Sequence, residues 1–304
     1  MDRIFSVVRM GLASQLLAFL EGGGDPSLSS DEGDSLLTLA ILHRHHHLVE
    51  ALIRYGADVN HADAFGNTPL HLASLGGERQ LAEILIKHGA EIDITTREKS
   101  WTPLMMAINT CHADLAEWLI RQGANDNYVD QEEGWTPLLI ACDQGLKEFS
   151  CLLIDRGVAV DATIHHGDSR GRSAIHLASY YGHIEPIKAL IQRGVDINLQ
   201  PQGGGLTALH WAVYNNHPNL LTFLLSHGAD PNMPAGGIYV GRLPLHYAIT
   251  ERSLALAQAL LSWDADPLLA DQEGKSALRL ALQCYESTGD AIFLELIHLM
   301  EPYA

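Results

Sequence analysis

Gly66-Asn67-Thr68-Pro69-Leu70-His71-Leu72-Ala73 reads as a turn followed by the start of a helix. Gly66 supplies the positive φ of a tight turn. The Thr68 hydroxyl can cap the helix by accepting a bond from an early backbone N–H. Pro69 falls at the first helical position, where its missing N–H has no intrahelical partner to lose. Leu70 and Ala73 open an apolar face at helical spacing. The stretch decides the fold because it recurs. Thr102-Pro103-Leu104, Thr136-Pro137-Leu138, Ser173-Ala174-Ile175-His176 and Thr207-Ala208-Leu209-His210 repeat it, and weaker copies start at Ser35, Leu243 and Ser276. Successive starts lie 33, 34, 34, 37, 34, 36 and 33 residues apart. A second landmark follows each start by 21 residues: Gly56, Gly89, Gly123, Gly157, Gly194 and Gly228, with Asp264 in the seventh copy.

Each period has room for two short amphipathic helices. In the second copy they are expected at about Pro69–Leu75 and Gln80–His88, with Gly76-Gly77 between them and Gly89 ending the second in the left-handed region. Neither is long enough to be stable alone in water. Stacked neighbours would bury their apolar faces in one continuous core.

The recurring run resembles the ankyrin repeat, whose signature is T-P-L-H-x-A at a period of about 33 residues. The resemblance covers nearly the whole chain. It implies an all-α solenoid of stacked helix-turn-helix units with β-turn fingers between them. On this reading residues 1–304 form a single array: an N-terminal cap over 1–32, seven repeats over 33–273 and a C-terminal capping repeat over 274–304.

The composition narrows the partners. The chain carries 19 basic against 37 acidic residues, a formal charge of −18. That disfavours nucleic acid and anionic membrane surfaces, both of which demand a basic face. It favours a partner of basic character. Cys111, Cys142, Cys151 and Cys284 form no CxxC pair and are expected to be reduced structural thiols. There is no apolar run of spanning length, and Met1-Asp2-Arg3-Ile4-Phe5 does not open a secretory signal. A monomeric, cytoplasmic protein with no cofactor is the expectation.

Taken in order, residues 1–24 look like a degenerate unit in which Leu12, Leu16, Leu17 and Leu20 line one helical face before Gly22-Gly23-Gly24. Ser27 to Asp34 are a polar connector. In the first full unit Arg44 stands where glycine is expected, inside His43-Arg44-His45-His46-His47. Adjacent histidines suit a metal, but no carboxylate or cysteine cluster accompanies them. His45 also falls at a turn position that the family commonly fills with histidine, as do His112, His183 and His217. The fourth residues of the helix starts, His71, His176, His210 and His246, would by the same resemblance bond between neighbouring units. Two fingers are long, at 161–171 and 233–241, and Gly203-Gly204-Gly205 reads as a flexible one. The last unit, with Glu286 to Asp290 between its helices, looks like a cap with a polar face.

No GxSxG, GxxxxGK[ST], HExxH or paired CxxC is present, so an enzyme is not expected. In the family, partners lie along the concave face made by finger tips and first helices. Carried over position by position, that face holds Trp101, Trp135, Asp143, Gln144, Tyr180, Tyr181, Tyr214 and Asn215, bordered by Asp130, Glu132 and Glu133. Trp and Tyr are the residues most enriched in binding hot spots. Trp118, Trp211 and Trp263 are expected in the core. Asn60, Asn198 and Asn232 follow an acidic residue by two and a leucine by eight. That arrangement resembles asparagine-hydroxylase substrates, although a simple turn cap explains it as well.

The expected function is that of a non-enzymatic adaptor, inhibitor or scaffold that binds a protein or peptide. The alternatives are a bacterial effector using the same groove in a host cytosol, or a metal-binding or enzymatic protein built on the histidine-rich turn or on His165-His166.

Overall fold

A computed structural model describes residues 2–30, 33–167, 170–201, 204–239 and 241–303. Asp31 and Glu32 of the connector, Asp168, Ser169 and Val240 of the long fingers, and Gly203 of the triple glycine lie outside the described residues. The described chain folds into eighteen α-helices and two short 3-10 turns, and contains no β-strand. Its packing forms two compact units, Met1–Ile140 and Ala141–Ala304.

In the first unit the helices come in pairs: α1 (Asp2–Arg9) with α2 (Ala13–Glu21), α3 (Leu36–Leu42) with α4 (His46–Arg54), α5 (Pro69–Leu75) with α6 (Arg79–Lys87), and α7 (Pro103–Asn109) with α8 (Ala113–Arg121). First helices pack on first helices, α1 on α3, α3 on α5 and α5 on α7. Helix α9 (Pro137–Asp143) carries the chain from one unit into the other. The second unit continues with α10 (Lys147–Asp155), α11 (Ala174–Tyr180), α12 (Ile184–Gln192), α13 (Ala208–Tyr214), α14 (Pro218–Ser226), α15 (Pro244–Thr250), α16 (Leu254–Leu261), α17 (Ala277–Thr288) and α18 (Ala291–Met300). There α11, α13, α15 and α17 form one row, and α14, α16 and α18 another. Seven- to nine-residue helices are too short to stand alone. Leucines such as Leu70, Leu81, Leu190 and Leu224, all fully buried, hold them to their neighbours.

The helix-start histidines join successive repeats. The backbone N–H of Thr68 donates to His71 Nδ1 (3.1 Å), so the ring proton sits on Nε2, which donates to the Trp101 carbonyl in the next finger (3.0 Å). His176 does the same with Ser173 and Leu199 (3.1 and 2.9 Å), and His210 with Thr207 and Arg242 (3.2 and 3.1 Å). His246 joins Leu243 to Lys275. Burial pushes the pKa of His71, His176 and His210 down to about 4, because a cation in these sites would lose its water.

A second contact between repeats forms at the inter-helix turn. Gly77 and Gly182 have φ of 68° and 74°, and the next repeat's histidine lies directly against each. A Cβ at Gly77 would stand 2.6 Å from the His112 ring, and one at Gly182 2.7 Å from His217. Those rings bond back to the Leu75 and Tyr180 carbonyls (3.2 and 2.9 Å). Four repeats carry another residue at this position at positive φ, Arg44, Cys111, Asn216 and Arg252, and the two arginines meet a carboxylate of the following unit. Arg44, at φ 58°, meets Glu78 (3.2 Å), and Arg252, also at φ 58°, pairs with Asp290. At the two arginine turns an ion pair stands where a ring packs on Gly77 and Gly182, so the strained arginines are not errors in the pattern.

A third contact is made by the finger asparagines. Asn60 Nδ2 donates to the Gly89 carbonyl (3.0 Å) while its Oδ1 accepts from Glu91 N (2.9 Å). Asn198 spans Gly228 and Asp230, and Asn232 spans Asp264 and Asp266, in the same way. These amides do more than cap their own turns.

Several expectations are corrected. The N-terminal unit has two helices, since α1 buries Phe5, Val7 and Val8, while Leu12 and Leu17 are exposed. The 286–290 stretch does not lengthen a loop; α17 runs on to Thr288 and stops at Gly289. Leu282 and Leu294 remain exposed on that last pair, so its outer surface is not purely polar. Gly204 and Gly205 are packed against the next finger. Gly236 N donates to Gly205 O (3.1 Å), and a Cβ on Gly204 would come within 2.4 Å of Gly237 N. Trp263 is 43% exposed because α16 ends at Leu261, before reaching it.

Two outcomes follow. His71, His176 and His210 take up protons near pH 6.5 only when unfolded, so unfolding binds protons as pH falls towards 4. The urea midpoint should therefore drop from pH 7 to pH 5, and a flat midpoint would show that these rings ionise freely in the fold. Gly182→Ala should cost about 2 kcal/mol, from the left-handed backbone and the His217 clash together. A double-mutant cycle with His217→Ala should recover part of that loss, and full additivity would contradict the contact.

Candidate functional site

In the second unit, tyrosines cap the ends of consecutive first helices. Tyr180 is the last residue of α11, Tyr181 follows as its C-cap, and Tyr214 ends α13. They are 43%, 41% and 47% exposed. The repeat places the fourth residue after a helix-start histidine beside the residue just after the next such histidine. Tyr180 therefore meets Trp211 edge-on at 5.5 Å, and Tyr214 meets Tyr247 at 6.1 Å. Tyr180 also packs edge-on against Tyr181 (5.1 Å) and Trp211 against Tyr214 (6.0 Å). Trp211 and Tyr247 are each only 6% exposed. The result is a row of three exposed phenols fixed from beneath by two buried rings. Trp211 is core, as expected from sequence. Tyr247 occupies the same position as Trp211 in the next repeat.

Polar groups border this row. Asp143 is half-buried, and desolvation raises its pKa against the opposing pull of the Arg172 guanidinium. Arg172 itself lies over the Trp211 ring at 4.7 Å. Asn215 is half-buried and donates to the Trp211 carbonyl (3.3 Å), and Gln144 is half-buried too. Cys142, beneath Asp143 in sequence, is fully enclosed, and burial pushes its thiol up to about 12, which leaves it inert.

The first unit treats its tryptophans differently. Trp101, expected at an exposed tip, is 7% exposed and lies under the Lys99 ammonium at 4.9 Å. Only part of the ring reaches a shallow cavity of about 250 Å³ that it shares with Phe65, Met106 and Asn109. Phe65, 58% exposed, is a finger aromatic outside the repeated positions and carries no periodic signal. Trp135 is half-buried and its indole N–H donates to Glu133 Oε2 (2.9 Å). Glu132 is exposed. Asp130 is not a surface acid: it is 1% exposed and accepts the N–H groups of Glu132, Glu133 and Trp135, closing the finger. Asp63 and Asp271 close their own fingers in the same manner.

The histidine-rich turn is occupied with packing. His45 Nε2 is 3.1 Å from the Arg9 carbonyl, His47 Nε2 is 3.4 Å from that of Gly11, and His46 lies 3.4 Å from Glu78. Among the described residues no group of three or more His, Cys, Asp or Glu side chains could hold a metal ion. Also among them, no helix is long and apolar enough to cross a membrane.

Comparison with known proteins agrees with this architecture. The family model described as ankyrin repeats in three copies matches residues 5–97, 93–164 and 159–235. The crystal structure of the human ASB11 ankyrin repeat domain superposes with a TM-score of 0.64 at 26% identity, over 77% of this chain and 98% of that one. A 41-residue stretch is 49% identical to the ankyrin repeat and LEM domain-containing protein 1 homolog of Caenorhabditis elegans. That stretch is 14% of this chain and spans only 6% of the worm protein's length. Ankyrin repeats generally serve as protein–protein interaction modules, and the fold is typically non-enzymatic. From the recurring helix start to the matched family model, the chain belongs to the ankyrin repeat family.

Proposed function

We propose that this chain is a non-enzymatic adaptor, inhibitor or scaffold that binds a protein segment along its first-helix and finger-tip surface. The observation that carries the reading is the row Tyr180, Tyr181 and Tyr214 standing on Trp211 and Tyr247. Exposed aromatics held rigid by a buried layer lose little entropy on binding, which is why such residues dominate interface energies. Asn215 and Gln144 would contribute polar contacts at the edge of the same surface. In the first unit Trp135, Glu132 and Glu133 supply a separate patch. The net charge of −18 supports a partner whose surface is basic on balance. The same reading takes the protein as a monomer of a reducing cytosol, where its cysteines would stay reduced.

Affinity capture from lysate, with wild type beside Tyr180→Ala/Tyr181→Ala and mass spectrometry as the readout, tests the tyrosine row. A partner held by wild type should be lost from the variant. Its measured affinity should fall about 30-fold, as expected for a hot spot worth ~2 kcal/mol. Equal capture by both proteins, with the variant still folded, would move the binding surface elsewhere.

A further inference from the structure

Beside the aromatic row the second unit has a cavity of about 520 Å³ whose walls differ in chemistry from the rest of this acidic chain. Arg170 and Arg172 bring two guanidinium groups to it, Trp211 forms a wall, and Leu206, Ile238 and Tyr239 supply apolar surface. Ile238 is 87% exposed, an unusual state for isoleucine and one that leaves apolar surface at the rim to be covered. The Trp211 indole Nε1–H is buried and has no acceptor among the described residues, in a side chain 94% removed from solvent (6% exposed). A buried donor without an acceptor is costly, and an oxygen brought in by a ligand would relieve that cost.

These groups share one demand. Guanidinium groups and an indole N–H all offer hydrogens, with Arg170 at the cavity wall and Arg172 stacked on the tryptophan face. The finger-tip position holds Arg172, Leu206, Arg242 and Lys275 in this unit, whereas Asp34, Asn67, Trp101 and Trp135 fill it in the first. The chain's overall negative field does not forbid an anion here, because it is screened beyond about 8–10 Å at physiological salt.

We propose that this cavity is a docking pocket for an acidic side chain, glutamate or aspartate, of the bound protein segment, with an apolar neighbour of that residue covering Ile238 and Tyr239. The inference rests on the protein-binding reading above and adds the partner's local chemistry: basic on balance, with one carboxylate anchored between Arg170 and the Trp211 edge. A carboxylate satisfies the pocket because it is acceptor-only and can take two donors at once.

The probe is acetyl-Leu-Glu-Leu-amide, with acetyl-Leu-Gln-Leu-amide as its neutral isostere. The readout is the Trp211 indole N–H resonance in nitrogen-edited NMR spectra, assigned by its disappearance in Trp211→Phe. The glutamyl peptide should shift that resonance saturably and bind at least tenfold more tightly than the glutaminyl one. Arg170→Ala, an exposed substitution that leaves the melting temperature unchanged, should weaken the glutamyl peptide at least fivefold. No saturable shift, or equal binding of the two peptides, would overturn the proposal, as would unaltered binding to Arg170→Ala. The two readings fail separately. Normal glutamyl binding alongside unchanged capture by the tyrosine variant faults the tyrosine row alone. Normal capture behaviour without peptide selectivity faults only the pocket.

Discussion

A neutral imidazole placed between two repeats is the constraint on which the rest of the structure depends. Each helix-start histidine accepts a backbone N–H from its own turn and donates to a carbonyl of the following finger. One ring therefore sets the start of its helix and the position of its neighbour's finger together. It does so only as the Nε2–H tautomer, since a protonated ring would lose the acceptor at Nδ1. Burial enforces that state. The turn contacts at Gly77 and Gly182 and the asparagine bridges repeat the same logic at two other heights of the repeat, so three hydrogen-bonding layers tie neighbours together where helices of two turns could not hold themselves.

The aromatic row depends on this registration. Tyr180 reaches Trp211, and Tyr214 reaches Tyr247, because consecutive repeats place fixed positions side by side. A shift of one repeat against another would separate the exposed phenols from the buried rings that orient them. The polar residues around the row are similarly engaged within the fold. Asp143 faces Arg172, and Asn215 holds a helix-end carbonyl. What is presented outward is chiefly aromatic and apolar, with hydrogen-bond donors at one side.

Much of the architecture is legible in the chain because the repeat states it several times over. The starts at Thr68, Thr102, Thr136, Ser173 and Thr207 mark their helices to the residue. Helix α1 escapes notice since it has neither the Thr-Pro start nor a preceding finger, only Phe5, Val7 and Val8 to bury. Site residues divide along the same line. Tyr180, Tyr181 and Tyr214 stand at positions the repeat leaves exposed, and they are exposed. Trp101 stands at a tip yet folds under Lys99, because burying a large ring outweighs the position it starts from. The pairing of Arg44 with Glu78 and of Arg252 with Asp290 becomes readable only once glycine–histidine packing at the same place is seen. The cavity beside Trp211 is assembled from fingers distant in sequence and has no linear signature.

The most direct test of this account is the protonation state of the bridging rings. Nitrogen-15 NMR of histidine-labelled protein should show His71, His176 and His210 as neutral Nε2–H tautomers that stay unprotonated from pH 7 down to about 4. Ordinary titration of these three rings near pH 6.5 in the folded protein would contradict it, since a cation that forms so readily cannot be the buried acceptor that registers one repeat on the next.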